Sequence, residues 1–204
     1  MTVESTFAFA FAMFILAASP GPGVFATVAQ ALAGGFRSAL DVIGGIVAGD
    51  LVFLLLAVYG LATLARTLGE LFVVVKLAGG GYLIWLGIKL WLTKPIPPGD
   101  QNVDKQQSGK QRILGGLFIT LGNPKVILFY AGFLPTFMDL GQLTVGDVCI
   151  VAGLVAGVLL LTLGFYAFSA ARARVLFTKP RALRNLNRGA GTIMVGAGLS
   201  IATR

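Results

Sequence analysis

The chain has 204 residues, of which 56% are hydrophobic and 12% are charged, and its mean hydropathy is +0.88. This composition excludes an ordinary soluble domain and indicates an all-α polytopic membrane protein. The net charge of +8 does not indicate a nucleic-acid partner, because most basic residues fall in a few loops where membrane topology explains them.

Six segments are apolar enough to cross a bilayer. We predict spans at residues 7–32, 42–64, 71–92, 113–137, 145–171 and 190–202, the last of which is short and rich in glycine. We expect the first span to be retained and not cleaved as a signal peptide, because Glu4 is the only charge before Arg37 and signal peptides begin with a positive region.

The first predicted span contains a helix-breaking stretch, Ser19-Pro20-Gly21-Pro22-Gly23. A proline inside a helix removes a backbone donor and clashes with the carbonyl four residues earlier, at a cost of roughly 3 kcal/mol or more. The carbonyls of Leu16 and Ala18 are therefore expected to lose their normal partners. In a membrane, such freed groups are tolerated only where they are buried in protein or line a cavity.

A second break is predicted in the fourth span, at Asn123-Pro124-Lys125. The two breaks fall in the first span of each half of the chain, and each half has three spans. Because three is odd, the second half must be inverted relative to the first. We therefore predict one transporter domain built as a 3+3 inverted repeat, with half one at about residues 1–93, a cytoplasmic linker at about 94–112 and half two at about 113–204.

The breaks supply the candidate substrate site. A half-helix that begins inside the membrane carries unpaired N–H groups and a partial positive charge, which suit an anionic group such as a carboxylate. The predicted substrate-binding residues are Ser19, Pro20, Gly21, Pro22, Gly23, Asn123, Pro124 and Lys125. A plain proline kink is the alternative for either break alone, but the doubled Pro-Gly pattern and its pairing with the second break favour a site.

Asp50 lies about eight residues into the second span. An acid at that depth costs roughly 2.5–3.5 kcal/mol on insertion scales and usually faces a cavity or a partner. The chain has no histidine, so Asp50 is the candidate proton-coupling residue; a structural ion pair or a hydrogen bond to a broken helix is the alternative. Gly45 and Gly49 would allow another helix to approach it closely.

Lys125 lies near the centre of the fourth span, where it has little room to reach water. From its position it could pair with Asp50, bind a substrate carboxylate or extend its stem to water, and we favour a role in the site.

Basic residues in the loops predict the orientation. The loops after spans one, three and five carry Arg37, Lys94, Lys105, Lys110, Arg112, Arg172, Arg174, Lys179, Arg181, Arg184 and Arg188. The opposite side has few basic residues, and its loop between spans four and five carries Asp139 and Asp147. The positive-inside rule then places the N-terminus in the periplasm, and the C-terminus with it if the last segment spans. Anionic lipid is the expected neighbour of the basic run after span five.

Taken together, these residues resemble the LysE/RhtB family of bacterial amino-acid exporters. The matching stretches are Ser19–Pro22, Gly35–Arg37, Gly44–Asp50, Lys76–Gly87, Asn123–Lys125, Phe129 and Phe133–Phe137. The resemblance implies export of amino acids or close derivatives across the inner membrane, with proton antiport as the implied coupling. We expect no cofactor and no enzymatic activity.

Other functions are less well supported by the residues. Export of a metal or other cation by a protein of similar fold is the main alternative, but Asp50 alone is a poor ligand set and the chain lacks histidine. A membrane protease would need a second buried acid, and a passive channel does not explain two breaks. A homodimer is possible through Gly153 and Gly157, which could equally serve an internal contact.

Overall fold

The computed structural model describes residues 2–59, 108–130 and 134–176 continuously, together with individual helical residues between Leu77 and Leu92 and between Arg184 and Leu199. Every regular element in the continuous ranges is a helix. The α-helices are α1 (Val3–Ala18), α2 (Pro22–Tyr59), α3 (Gly109–Leu121), α4 (Pro124–Leu128), α5 (Leu134–Phe137) and α6 (Val145–Leu176), with a 3-10 turn at Leu140–Gln142.

Helix α2 consists of two helical segments, because its helical geometry is interrupted at Gly35, where φ is 83° and ψ is −179°. Glycine adopts this left-handed φ without the steric penalty of a side chain. The interruption separates residues 22–34 from residues 36–59, and it lies between the first and second predicted spans. At 1.5 Å per residue, residues 36–59 extend about 36 Å, which is enough to cross the hydrocarbon core of a bilayer.

Helix α3 begins at Gly109, within the stretch predicted as linker. A reciprocal capping box explains this start: the Ser108 hydroxyl accepts from the backbone N–H of Gln111, and the Gln111 side chain accepts from the N–H of Ser108. The adjacent Arg112 then pairs with Asp41 of α2, with Nε and Oδ2 2.8 Å apart.

Helices α2 and α3 cross with their backbones nearly in contact. A Cβ atom on Gly45 would overlap the carbonyl of Ile113, and one on Gly116 would overlap the carbonyl of Val42. The small-residue contact expected beside Asp50 therefore exists, and α3 is the helix that approaches. Helix α6 packs on the other side of α2 and also contacts α1.

Many large apolar side chains lie on the outer surface of the described helices. Two helices in the described part are long and apolar enough to cross a membrane, Pro22–Tyr59 and Val145–Ala173, and Val3–Ala18 is a shorter apolar helix. Large apolar side chains on α1 and α6 face outward, among them Phe7, Phe11, Leu161 and Phe165. A helix that is apolar on all sides is typical of a bilayer environment.

Several predictions stay predictions. The described residues leave out most of the third span, most of the last span and most of the linker. The inverted repeat therefore stays a prediction. The Gly153–Gly157 pair is described: a Cβ at either glycine would meet nothing within 4 Å, so these residues mediate no close internal contact with the described elements.

Candidate functional site

The first break separates α1 from α2. Helix α1 ends at Ala18, Ser19 is extended with φ −71° and ψ 134°, and α2 begins at Pro22. Two side chains donate to the carbonyls that the prolines leave free. The Ser19 hydroxyl donates to the carbonyl of Leu16 at 3.0 Å, and the Tyr166 hydroxyl, from α6, donates to the carbonyl of Ala18 at 2.8 Å.

The second break separates α3 from α4. Helix α3 ends at Leu121, and α4 begins at Pro124 with Asn123 as its N-cap. Oδ1 of the buried Asn123 accepts from the backbone N–H of Lys125 at 3.1 Å. The amide side chain thus satisfies one of the unpaired donors at the start of α4, as N-cap residues commonly do.

The Lys125 ammonium group joins the two breaks. Its Nζ donates to the carbonyl of Leu16 at 2.7 Å, to the carbonyl of Ser19 at 2.9 Å and to the Ser19 hydroxyl at 2.9 Å. A lysine has three hydrogens to donate, and three acceptors stand within bonding distance. Within the described part of the chain, Lys125 forms no ion pair with Asp50. The sequence analysis considered Asp50, a substrate carboxylate and water as partners for Lys125. It did not consider the backbone carbonyls of the first break, which are the partners in the structure.

A cavity of about 40 Å³ lies between the breaks. It is lined by Leu16, Ala17, Gly21, Gly23, Val24, Ile46, Asp50, Thr120, Asn123, Lys125, Val126, Leu159 and Leu163. These residues come from α1, α2, α3, α4 and α6, so every long described helix contributes. The volume accommodates a water molecule but not an amino acid.

The predicted site residues are thus brought to one place, although they do not all face the cavity. Gly21, Gly23, Asn123 and Lys125 line it, together with Asp50. Ser19 does not line the cavity but bonds two residues that do, Leu16 and Lys125. The three prolines, Pro20, Pro22 and Pro124, are not among the lining residues; their part is to end or begin the helices.

Asp50 is buried, with 1% of its surface exposed. Its Oδ1 has no hydrogen-bond partner among the described residues. On one side Gly49 allows α3 to approach, because a Cβ there would lie 2.7 Å from Cβ of Thr120. On another side the hydroxyl of Tyr130 faces Asp50, yet that hydroxyl also lacks a hydrogen-bond partner in the described structure.

Tyr130 belongs to an aromatic cluster formed by Phe9, Phe53, Phe129, Tyr130 and Phe137. The ring of Phe53 stacks on that of Tyr130 with centroids 6.2 Å apart, and the Phe129 ring meets Tyr130 edge-on at 5.5 Å. Phe9 contacts Phe129 and Phe137 at 5.9 and 6.2 Å. The cluster joins α1, α2 and the segment that follows α4 beside Asp50, since Phe53 lies three residues after Asp50 on α2.

Sequence reasoning missed two tyrosines at this site. Tyr130 and Tyr166 both lie inside apolar predicted spans, where a phenol hydroxyl needs a partner. That signal was available, but it does not reveal which of many distant groups the hydroxyl meets. Among the described residues there is no group of three or more Asp, Glu, His or Cys residues that could hold a metal ion.

Comparison with known proteins adds an independent finding. The family model described as LysE type translocator matches residues 14–204. An uncharacterized membrane protein of Synechocystis sp. is 38% identical over 192 residues, which cover 92% of this chain and 90% of that protein. No solved structure matches.

Two relatives have names that state a function. A homoserine/homoserine lactone efflux protein of Salmonella typhimurium is 29% identical over 204 residues, covering 100% of this chain and 98% of that protein. A leucine efflux protein of Klebsiella pneumoniae is 37% identical over 136 residues, covering 66% of this chain and 63% of that protein.

Proposed function

This chain belongs to the LysE type translocator family, and we propose that it exports amino acids or close derivatives across the bacterial inner membrane. In this proposal the protein is a transporter and not an enzyme. The observation that carries it is the meeting of the two helix breaks: the lysine of one donates to the carbonyls of the other, beside a buried acid, around one cavity.

The named relatives indicate the chemical class of the substrate. Homoserine, homoserine lactone and leucine all carry an α-amino group, whereas only the two free amino acids have a carboxylate. We propose that this chain also exports a small substrate with an α-amino group. Which side chain it bears is left to experiment.

The substrate carboxylate, where present, would bind at the start of α2 and at Lys125. The first N–H groups of a helix have no partner within it, and Gly23 and Val24 at the start of α2 line the cavity. The end of the helix dipole and the lysine both favour an anion there. At the start of α4, Asn123 already accepts a hydrogen bond from the backbone N–H of Lys125. The Lys125 side chain, and not the start of α4, is therefore the group that would bind the anion.

Binding would require the site to rearrange. A cavity of about 40 Å³ must widen to admit an amino acid, and the substrate carboxylate must compete with the Leu16 and Ser19 carbonyls for the Lys125 ammonium. We propose that this exchange of partners releases the first break and is part of an alternating-access cycle. Asp50 would take up a periplasmic proton and release it inside, so that export is driven by the proton gradient.

The charge distribution supports an orientation with the N-terminus in the periplasm. Arg37 lies close to the Gly35 turn in sequence, and Arg112, next to Lys110 at the start of α3, pairs with Asp41 of α2. Arg172 follows Phe168 on α6, and the Phe168 ring meets that of Phe36. Arg172 also stands over the ring of Phe168, 4.9 Å from its centroid. The opposite end carries Glu4, Asp139 and Asp147. The basic end would face the cytoplasm and its anionic lipids.

The test is efflux from proteoliposomes loaded with labelled leucine or homoserine, with an imposed proton gradient. Wild type is compared with Asp50→Asn, with Lys125→Ala and with Glu4→Gln, which removes an exposed acid far from the cavity. We expect gradient-driven efflux from wild type and Glu4→Gln and its loss from the other two. Undiminished gradient-driven efflux from Asp50→Asn would remove the proton role, and a metal-sensitivity assay distinguishes the cation alternative.

A further inference from the structure

Among the described residues, no positively charged group forms an ion pair with Asp50. The described polar groups that face it are the Tyr130 hydroxyl, which has no hydrogen-bond partner in the described structure, and Lys125, whose three donors point to the first break. The described residues of α1, α3 and α6 that line the cavity, Leu16, Ala17, Thr120, Leu159 and Leu163, are not titratable. A buried carboxylate in this position is costly when ionised, so it needs either a proton or an incoming cation.

We propose that Asp50 binds the α-ammonium group of the substrate, and that the proton and this ammonium group compete for the same carboxylate. The inference rests on the proposed function and specifies its substrate subsite. It gives Asp50 direct contact with the substrate, beyond a role in proton transfer alone.

The polar groups that line the cavity complement the two opposite charges of a zwitterion. Asp50 supplies an unpaired hydrogen-bond acceptor, and Lys125 and the start of α2 supply donors. All three line the same cavity. An amino acid presents an ammonium and a carboxylate on adjacent carbons, so both ends of this pattern can be occupied by one molecule. The lactone of homoserine would use the Asp50 end alone.

Competition at one carboxylate produces antiport without a second proton site. Facing the cytoplasm, the Asp50 carboxylic acid releases its proton to water, and the carboxylate then accepts hydrogen bonds from the substrate ammonium. Facing the periplasm, a proton binds the carboxylate and the ammonium leaves with the substrate. Each cycle exports one substrate and imports one proton, and no bond to the substrate is made or broken.

The experiment is calorimetric binding to the purified full chain in detergent, with L-leucine, L-homoserine and their N-acetyl derivatives as probes. Acetylation keeps the carboxylate and removes the ammonium charge. We expect the free amino acids to bind about 10- to 100-fold more tightly than the acetylated ones, the range of a charge-assisted hydrogen bond. Titrations in two buffers of different ionisation enthalpy should show proton release on binding of the free amino acids only.

The pH dependence provides a second measurement that needs no variant. Because ammonium binding requires the ionised carboxylate, affinity for the free amino acids should fall as pH is lowered, by about tenfold per pH unit once Asp50 is mostly protonated. Affinity for the N-acetyl probes should lack this dependence. Asp50→Asn should bind free and acetylated probes equally weakly and release no proton, whereas Glu4→Gln should behave as wild type.

The outcomes separate the two proposals. If wild type transports leucine or homoserine but binds the acetylated probe equally well, or if Asp50→Asn keeps wild-type affinity, the ammonium subsite is wrong and the exporter stands. If wild type neither binds nor transports any amino acid tested, the proposed function fails and the subsite with it.

Discussion

Replacing Lys125 with methionine tests whether the lysine holds the two breaks together. Methionine keeps a long unbranched stem but removes the ammonium group and its bonds to the Leu16 carbonyl, the Ser19 carbonyl and the Ser19 hydroxyl. The Leu16 carbonyl would retain the Ser19 hydroxyl as a donor, so the Ser19 carbonyl is the group most exposed to loss.

The expected cost follows from these bonds. Each hydrogen bond to a charged group contributes about 1.5–3 kcal/mol. Methionine recovers the desolvation of the half-buried ammonium, and the cavity that Lys125 lines has room for a water molecule in place of the ammonium group. The net loss should therefore be about 2–4 kcal/mol, well below the sum of three bonds. The matched comparison is Tyr166→Phe, which removes one neutral bond to the Ala18 carbonyl and should cost about 1 kcal/mol.

The assay is thermal unfolding of the purified variants in one detergent at one scan rate, because irreversible unfolding makes the apparent Tm depend on scan rate. For a chain of this size, 1 kcal/mol corresponds to about 2–4 °C. Lys125→Met should therefore lower Tm by about 4–16 °C, and Tyr166→Phe by about 2–4 °C. An unchanged Tm for Lys125→Met, or a smaller loss than that of Tyr166→Phe, would refute the energetic role of the lysine.

Three further predictions concern the described packing around the site. Gly45→Ala should lower Tm and the yield of folded protein, because the new Cβ would overlap the backbone of α3; the adjacent Gly44→Ala, whose Cβ would meet nothing within 4 Å, should leave both unchanged or raise Tm slightly. Tyr130→Phe should leave Tm unchanged or raise it, since the hydroxyl it removes has no hydrogen-bond partner in the described structure; a lowered Tm would contradict this. The Arg112–Asp41 ion pair is partly exposed, with 13% and 31% of the two side chains accessible, so a double-alanine cycle monitored by unfolding should give a coupling of about 0.2–1 kcal/mol that shrinks in high salt.

The positions of the breaks were predictable from the sequence because their causes are local. Proline lacks a backbone donor wherever it stands, so Pro22 and Pro124 mark helix starts without knowledge of the fold. The burial of Asp50 against a cavity was likewise predictable, since an acid deep in an apolar span has few other places to go.

The partners of the polar groups at the site were not predictable, because they depend on long-range packing. Lys125 and Ser19 are 106 positions apart, and Tyr166 and Ala18 are 148 apart. A mid-span lysine indicates only that some acceptor exists nearby. The sequence does not distinguish between a ligand carboxylate, an acidic side chain and a free carbonyl as that acceptor. The fold does, because it brings Lys125 beside the carbonyls of the first break.

The two charges of the proposed site come from different halves of the chain, and this constrains how it can work. Asp50 lies in the half before the predicted linker and Lys125 in the half after it, and the cavity between them is lined by helices of both. The opposite charges of Asp50 and Lys125 therefore face one cavity only where the two halves meet. The Lys125 bonds to Leu16 and Ser19 also cross between the halves, so any movement of one half against the other must stretch them. In the proposed cycle, a substrate carboxylate that takes over Lys125 would remove this restraint at the moment of binding and so connect occupancy of the site to the freedom of the halves to move.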